Sequence, residues 1–214
     1  MTTADWTSTQ WPGARFVTGW TNAATEIHRV GSIVVPVVMR VSVAEHPQIV
    51  IDFARRIFHS DLPFDRYPAT PGSVQVAAES VAPGSASPVP FPGQQLDALL
   101  WALGMTAFGD SSAPWLREGD RYRLTRWPNF TELPHTMDTI RITALLGAGF
   151  LSVDELGRGA AISHGHAQRI VNALSLMGMV SVAAVEETPD VVFREDAVRE
   201  SGGLFRRLRN RLGL

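Results

Sequence analysis

The sequence of 214 residues predicts an α+β fold, in which a small unit of mixed strands and helices is followed by three short helices and a terminal β-hairpin. Three observations lead to this prediction: β-branched runs before residue 80, a proline-rich stretch at 81–93, and a succession of helix-capping residues after residue 135. We therefore divide the chain into an α+β domain at 1–80, a linker at 81–93, a helical domain at 94–198 and a tail at 199–214.

The first domain is predicted from apolar runs of different periodicity. Residues 30–43 have the β-branched composition of a strand, and Pro36 indicates a sheet edge or a bulge, because proline cannot donate to a ladder. Residues 45–60 carry apolar side chains at helical spacing and are predicted to form a helix, whereas 72–81 are predicted to form a strand. The early tryptophans, Trp20 among them, are expected to pack in the core.

The linker and the helix after it are predicted from composition and spacing. The stretch "VAPGSASPVPFPG" has four prolines within ten residues, together with Gly and Ser, a composition that favours extended backbone. The following "QQLDALLWALGMTAF" repeats apolar residues every three or four positions and predicts an amphipathic helix. Its apolar stripe consists of Leu96, Leu99, Leu100, Leu103 and Ala107.

A short arginine-rich strand is predicted around Tyr122, which alternates with Arg121 and Arg123. The two arginines would share one face of the strand and could bind an anion, a phosphorylated partner or a cyclic dinucleotide beside a stacked aromatic ring. The acidic neighbours Glu118 and Asp120 offer the alternative of local ion pairs. The candidate anion or partner contacts are Arg121, Arg123, Arg126 and Trp127.

Three helices are predicted from their caps. Thr136 can cap the first helix, and Ser152 with Glu155 three residues later fits a capping box that begins the second. Ser163 caps the third, which Gly178 ends because glycine tolerates left-handed backbone. The residues expected to face inward are Met137, Ile140, Ala144 and Leu145 on the first helix, Val153, Leu156 and Ala160 on the second, and Ala167, Ile170, Val171, Leu174 and Met177 on the third.

The segment "SVDELGRGAAISHGHAQRIVNALSLMGMV", followed by the strand–turn–strand pattern of "MVSVAAV", "EETPD" and "VVF", resembles a bacterial winged-helix domain. The resemblance implies three helices with a β-hairpin wing, and it makes 163–177 the recognition helix. The segment "RYRLTRWPNFTELPHTMDTIRITALL" is similar to bacterial signalling proteins associated with small Ras-like GTPases and their roadblock-type partners. This second resemblance implies an adaptor or effector in a signalling complex.

The recognition helix could contact either DNA or a protein partner. DNA readers gain affinity by neutralising phosphates, yet residues 115–198 contain eight arginines against eleven acids, three of which lie in the turn of the wing. We therefore expect a regulatory adaptor that binds another protein, such as a small GTPase or a receiver domain, with a DNA-binding transcription regulator as the alternative and a homodimer possible in either case. The candidate contacts are His164, His166, Gln168, Arg169 and Asn172.

Composition disfavours an enzyme. The chain has no cysteine, all 19 of its basic side chains are arginine, and no Gly-rich phosphate loop or nucleophile elbow occurs, so we expect no catalytic residues and no cofactor. A metal site of His164, His166 and His135 is disfavoured, because residues two apart on a helix point in nearly opposite directions. The polar N-terminus is not a secretory signal, and we expect a cytoplasmic protein.

The C-terminal "SGGLFRRLRNRLGL" is a basic amphipathic segment after a Gly-Gly hinge. Such a segment can dock into the groove of a partner, lie on an anionic membrane surface, pack on its own domain or add non-specific affinity for nucleic acid. The residues that we expect to make these contacts are Phe205, Arg206, Arg207, Arg209 and Arg211.

Overall fold

The structure is a computed structural model that describes residues 15–17, 19–33, 35–82, 84–90 and 92–183. These residues contain five α-helices and an antiparallel sheet of six strands, together with a second, smaller sheet. The α+β class that the sequence predicts is confirmed. The strands of the sheet are β1 (Arg15–Val17), β2 (Val37–Val43), β3 (Ile49–Asp52), β4 (Ile57–His59), β5 (Val74–Ser80) and β6 (Gln94–Gln95), in the spatial order β1-β5-β2-β3-β4-β6.

The helices and a second small sheet follow in chain order. The helices are α1 (Gly19–Gly31), α2 (Leu96–Thr106), α3 (Met137–Ala148), α4 (Val153–Ala160) and α5 (His164–Leu176), and the second sheet pairs β7 (Arg121–Leu124) with β8 (Val180–Ala183). No helix in these described stretches is long and apolar enough to cross a membrane.

Helix α1 packs against β2 and β5. The sequence did not predict this helix, and its last two residues were assigned to the strand at 30–43. Its buried residues recur every three or four positions, as an amphipathic helix requires: Trp20, Ala23, Ala24, Ile27 and Val30. The burial of Trp20 agrees with the expectation that it packs in the core.

Strand β2 lies in the centre of the sheet, between β5 and β3, so the expectation of an edge or bulge at Pro36 is wrong. Pro36 precedes the first residue of the strand, where the ladder does not need its missing N–H, and its carbonyl accepts from the N–H of Val81 at 2.9 Å. The strand predicted at 72–81 is confirmed as β5.

Residues 45–60 form a β-hairpin, and the helix predicted there is wrong. Strands β3 and β4 pair antiparallel, and the turn between them closes with a hydrogen bond from Arg56 N to Phe53 O of 3.3 Å. Glu45 and Arg56 have φ values of 62° and 52°, which an α-helix excludes. The apolar run was too short for its period to distinguish the two structures, because Ile49 and Ile51 fit the alternation of a strand equally well.

The proline-rich stretch predicted as a linker runs along the sheet. The Ser87 hydroxyl donates to Asp52 Oδ2 at 2.6 Å, and Arg55 Nη2 donates to the Ser85 carbonyl at 2.7 Å. Val89 is buried, and the following Gln94–Gln95 pairs with β4. The described residues group into one compact unit, and one continuous hydrophobic core joins the sheet to the helices that follow the proline-rich stretch.

Helices α2 and α5 pack closely in that shared core. The predicted stripe of α2 is buried at Leu96, Leu99, Leu100 and Leu103, and Gly104 lies against Ala173 of α5. The predicted apolar faces of α4 and α5 are confirmed as buried, including Leu156, Ile170 and Leu174.

The inward face predicted for α3 is wrong at Met137 and Ala144, whereas Leu145 is partly buried against the core and Ile140 is half-buried. Met137 is 63% exposed and Ala144 is exposed, whereas Thr139, Ile142, Thr143 and Leu146 are buried. The two threonines can face the core because the Thr143 hydroxyl donates to the Thr139 carbonyl at 2.8 Å, which satisfies its hydrogen-bonding group within the helix.

The two small-sheet strands flank the three helices α3 to α5, which we call the three-helix unit. Leu124 at the end of β7 pairs with Val180 at the start of β8, and Tyr122 also bridges Leu151 between α3 and α4. Strand β8 is the first strand of the predicted terminal hairpin, and its predicted return strand lies outside the described residues.

Candidate functional site

The start of α5 has the local geometry that its sequence predicts. The Ser163 side chain accepts from the N–H of His166 at 3.2 Å, so the serine caps the helix, and Gly178 beyond its end has a φ of 69°. The preceding α4 has the predicted capping box, in which Glu155 accepts from the Ser152 N–H at 2.7 Å.

The polar stripe of α5 faces the protein interior, so the expectation that Gln168 and Asn172 point outward is wrong. Gln168 is 4% exposed and Asn172 is fully buried. The Asn172 Oδ1 accepts from the N–H of Ala113 at 3.1 Å and from Gln168 Nε2 at 2.9 Å, and Nδ2 donates to the Ser111 carbonyl at 2.9 Å. A loop that follows α2 therefore covers Gln168 and Asn172, whereas His164 and much of the Arg169 side chain stay exposed.

We call residues 110–116 of this loop the clamp loop. At its start, Asp110 accepts from Arg169 Nε at 2.8 Å. The same carboxylate lies against Gly165, where a Cβ atom would stand 2.5 Å from Asp110 Cγ. The absence of a side chain at position 165 therefore leaves room for the Asp110 side chain beside the helix. Arg169 is already paired with this carboxylate.

Toward the end of α5, the clamp loop is joined by helix α1. The Trp115 Nε1 donates to Ser175 Oγ at 2.8 Å, and the His28 ring stacks on Trp115 with a centroid distance of 3.9 Å and an angle of 3°. Burial lowers the pKa of His28, because desolvation penalises its charged form. No local sequence pattern predicts these contacts, since they join residues far apart in the chain.

The two histidines at the start of α5 do not converge on one site. His164 is exposed, and its Nδ1 lies 2.7 Å from Asp154 Oδ1 of α4, whereas His166 is partly buried. His135 interacts through Nδ1 with the carbonyl of Leu133 at 2.9 Å. Within the described stretches, no group of three or more His, Cys, Asp or Glu side chains is placed to hold a metal ion.

The predicted arginine strand places Arg121 and Arg123 on one face, beside Phe150. Arg121 donates to the Phe150 carbonyl at 3.0 Å and to Glu155 Oε1 at 3.0 Å, and the Arg123 guanidinium lies 5.9 Å from the centroid of the Phe150 ring. The ion pair is thus made with Glu155 rather than with the sequence neighbours, since Asp120 is buried and accepts from the Arg117 N–H at 2.8 Å.

The other two members of the predicted arginine group lie elsewhere. Arg126 Nη2 stands 3.7 Å from Asp97 Oδ2 of α2, and Trp127 is 59% exposed next to Gly147 of α3. Arg121 and Arg123 therefore lie together beside Phe150, whereas Arg126 faces Asp97 of α2.

The carboxylates of the predicted wing turn and the tail residues Phe205, Arg206, Arg207, Arg209 and Arg211 lie outside the described residues. The comparisons with family models, with curated proteins and with solved structures found no match for this chain.

Proposed function

We propose that the protein is a non-enzymatic adaptor in bacterial signalling, whose three-helix unit is a winged helix that binds protein rather than DNA. The observation that carries the proposal is the clamp loop on α5. Two of the three side chains suited to bidentate base contacts, Gln168 and Asn172, are buried, and the third, Arg169, is ion-paired with Asp110.

The charges around α5 support the same conclusion. Asp110 and Asp154 stand beside the start of the helix, where a DNA reader would neutralise phosphates. Binding DNA there would bring phosphates toward these carboxylates and would require Arg169 to leave its partner. Each of these effects opposes the counterion release that drives DNA association.

The winged-helix assignment rests on the order of elements. Three helices follow one another with capped, short connections, and β8 leaves α5 as a strand beside them. The exposed Arg123 makes a cation–π contact with the half-buried Phe150, and Trp127 is a separate exposed aromatic ring; arginine and aromatic residues are enriched at protein-binding surfaces. The sequence resemblance implies a small Ras-like GTPase as the partner, and a receiver domain is the second partner class that we consider; both would be cytoplasmic.

The experiment that tests the proposal is fluorescence anisotropy of a mixed-sequence DNA duplex, titrated with the full chain at low and at physiological salt. We expect no binding at physiological salt, and at low salt only binding that a truncation after Glu200 removes. Arg169→Ala is compared with Arg141→Ala, an arginine exposed on α3. Binding that survives the truncation, falls steeply with salt and is lost in Arg169→Ala alone would overturn the proposal.

A second measurement tests the partner. Purified small Ras-like GTPases, in their GDP and GTP forms, and receiver domains are titrated against the immobilised full chain. We expect one of them to bind, and we expect Arg123→Glu to weaken this binding about tenfold or more by reversing a charge at the interface. Failure of every GTPase and receiver domain to bind would contradict the partner class.

A further inference from the structure

A cavity of about 340 Å³ lies where α1, the turn between β3 and β4, α2 and the end of α5 meet. We call it the junction cavity. Its size lies in the range of cavities that hold small molecules. The proposed adaptor surface, around Arg123 and Phe150, does not include any residue that lines it.

The junction cavity has an apolar floor. Its lining includes Ile27 of α1 and Leu96 and Leu100 of α2, each of them buried in the core, and Phe53 from the hairpin turn. Because Ile27, Leu96 and Leu100 are almost fully buried, the apolar surface that a ligand would cover is mainly that of the half-buried Phe53, and covering it would remove apolar surface from water on both partners.

The rim of the cavity is cationic. Arg56 and Arg126 both line the cavity, with side chains that are 44% and 53% exposed. Both face the one carboxylate of Asp97, so two guanidinium groups share a single negative charge. His28, also in the lining, is neutral at pH 7 because burial lowers its pKa. The rim therefore carries a net charge of about +1, which one anionic group would balance.

The two arginines are held differently. Arg56 lies in the hairpin turn with left-handed backbone, its carbonyl accepts from the Leu96 N–H at 2.9 Å, and its guanidinium donates to Asp97. Arg126 comes no nearer to Asp97 than 3.7 Å, beyond hydrogen-bonding distance, and no described residue accepts a hydrogen bond from its guanidinium. Its N–H donors are thus available to an anion at the rim.

We infer that the junction cavity binds a small organic anion, with a carboxylate or phosphate group on the available N–H donors of Arg126, beside the Arg56–Asp97 pair, and an apolar body on the floor of the cavity. Arginine forks bind the oxygens of both head groups, which is why the shared chemistry, rather than one head group, is assigned. Ser175 in the same lining accepts from Trp115 through Oγ and can donate its hydroxyl hydrogen to a polar atom of the ligand.

Isothermal titration calorimetry of the full chain tests the inference with four probes: benzoate, phenyl phosphate, neutral benzyl alcohol and inorganic phosphate. We expect benzoate or phenyl phosphate to bind, and the difference between them identifies the head group. Benzyl alcohol, which lacks the charge, and inorganic phosphate, which lacks the apolar body, should each bind about tenfold more weakly or less.

The variant that tests the site is Arg126→Gln, which removes no hydrogen bond of the described fold. It should weaken binding of the anion about tenfold, whereas Arg141→Gln, a matched exposed arginine, should leave it unchanged. Arg56→Gln provides a second test of the rim. Absence of binding by both organic anions, equal binding of benzyl alcohol or inorganic phosphate, or full affinity in Arg126→Gln would overturn the inference.

Discussion

Gly104 of α2 lies directly against the backbone of Ala173 in α5. A Cβ atom on Gly104 would stand 2.3 Å from Ala173 Cα and 2.8 Å from its nitrogen, distances that no repacking of side chains can relieve. The glycine thus sets how closely the helix after the sheet approaches the last helix of the three-helix unit.

The first prediction concerns this helix crossing. Gly104→Ala should lower the free energy of unfolding by about 1–3 kcal/mol, because overpacking outweighs the helical propensity that alanine adds. Urea denaturation followed by circular dichroism measures the effect. The control is Gly147→Ala in α3, where the nearest atom is a ring carbon of the exposed Trp127 at 3.2 Å, which can move. Equal stability of wild type and Gly104→Ala would contradict the crossing.

The second prediction concerns the clamp loop. Asn172→Ala should cost about 2–4 kcal/mol of unfolding free energy, because it leaves the Ala113 N–H, the Ser111 carbonyl and Gln168 without their partner. Hydrogen exchange should show faster exchange at the Ala113 amide than in wild type. Asn129→Ala, which removes an exposed turn contact to Thr131, serves as control. Unchanged protection at Ala113 would show that the loop does not depend on Asn172.

The third prediction is a pH dependence at Asp52. Burial of this side chain acts to raise its pKa, but hydrogen bonds from Ser87 and Arg55, together with the Arg55 charge, outweigh burial and leave the pKa below its usual value. A lowered folded pKa means that the carboxylate stabilises the fold above the unfolded value and loses this effect as the pH falls through the folded value.

Asp52→Asn should therefore destabilise the protein near neutral pH, and the difference from wild type should shrink as the pH falls below the unfolded value of about 4 and through the lowered folded value. Urea denaturation at a series of pH values measures the difference. The exposed Asp65→Asn serves as control. A constant difference across this range would show that the Asp52 charge does not stabilise the fold.

The fourth prediction uses the two tyrosines of the chain, Tyr67 and Tyr122. Burial and the charge of Asp120 raise the pKa of Tyr122 to about 12, and burial also raises the pKa of Tyr67 against the opposing hydrogen bond of Ser60. Absorbance at the tyrosinate band should therefore rise at higher pH in the native chain than in the chain unfolded by urea. Coincident titration curves would contradict the burial of both phenols.

These raised values also destabilise the fold at alkaline pH. Because the unfolded chain releases its phenolic protons at lower pH than the native chain, stability should fall once the pH exceeds the unfolded value of about 10. Tyr122→Phe should reduce this alkaline loss, measured as the dependence of the urea midpoint on pH.

The features that the sequence predicted correctly are mostly local. The caps at Thr136, Ser152 and Ser163 act over three residues, so the pattern contains all the information that they need. The alternation around Tyr122 likewise predicted which side chains of β7 are buried.

The errors arose where distant parts of the chain decide the structure. Gln168 and Asn172 are polar, as residues of an exposed helix face usually are. They are buried because a loop about 60 residues earlier packs on them, as the hydrogen bond between Asn172 and Ser111 shows. Residues 45–60 were assigned to a helix because a short apolar run has no unambiguous period, and pairing with β2 selects the strand. The junction cavity combines Arg56 and Arg126, which no local pattern connects.

The pairing of β7 with β8 has a consequence for the order of folding. Leu124 and Val180 can meet only after the chain between them, which contains all three helices, has become compact, since an extended chain of that length makes the encounter costly in entropy. Helices form from local contacts within about a microsecond, so the helices should precede the strand pair. We therefore expect β7 and β8 to pair last in this region during folding and to separate first during unfolding.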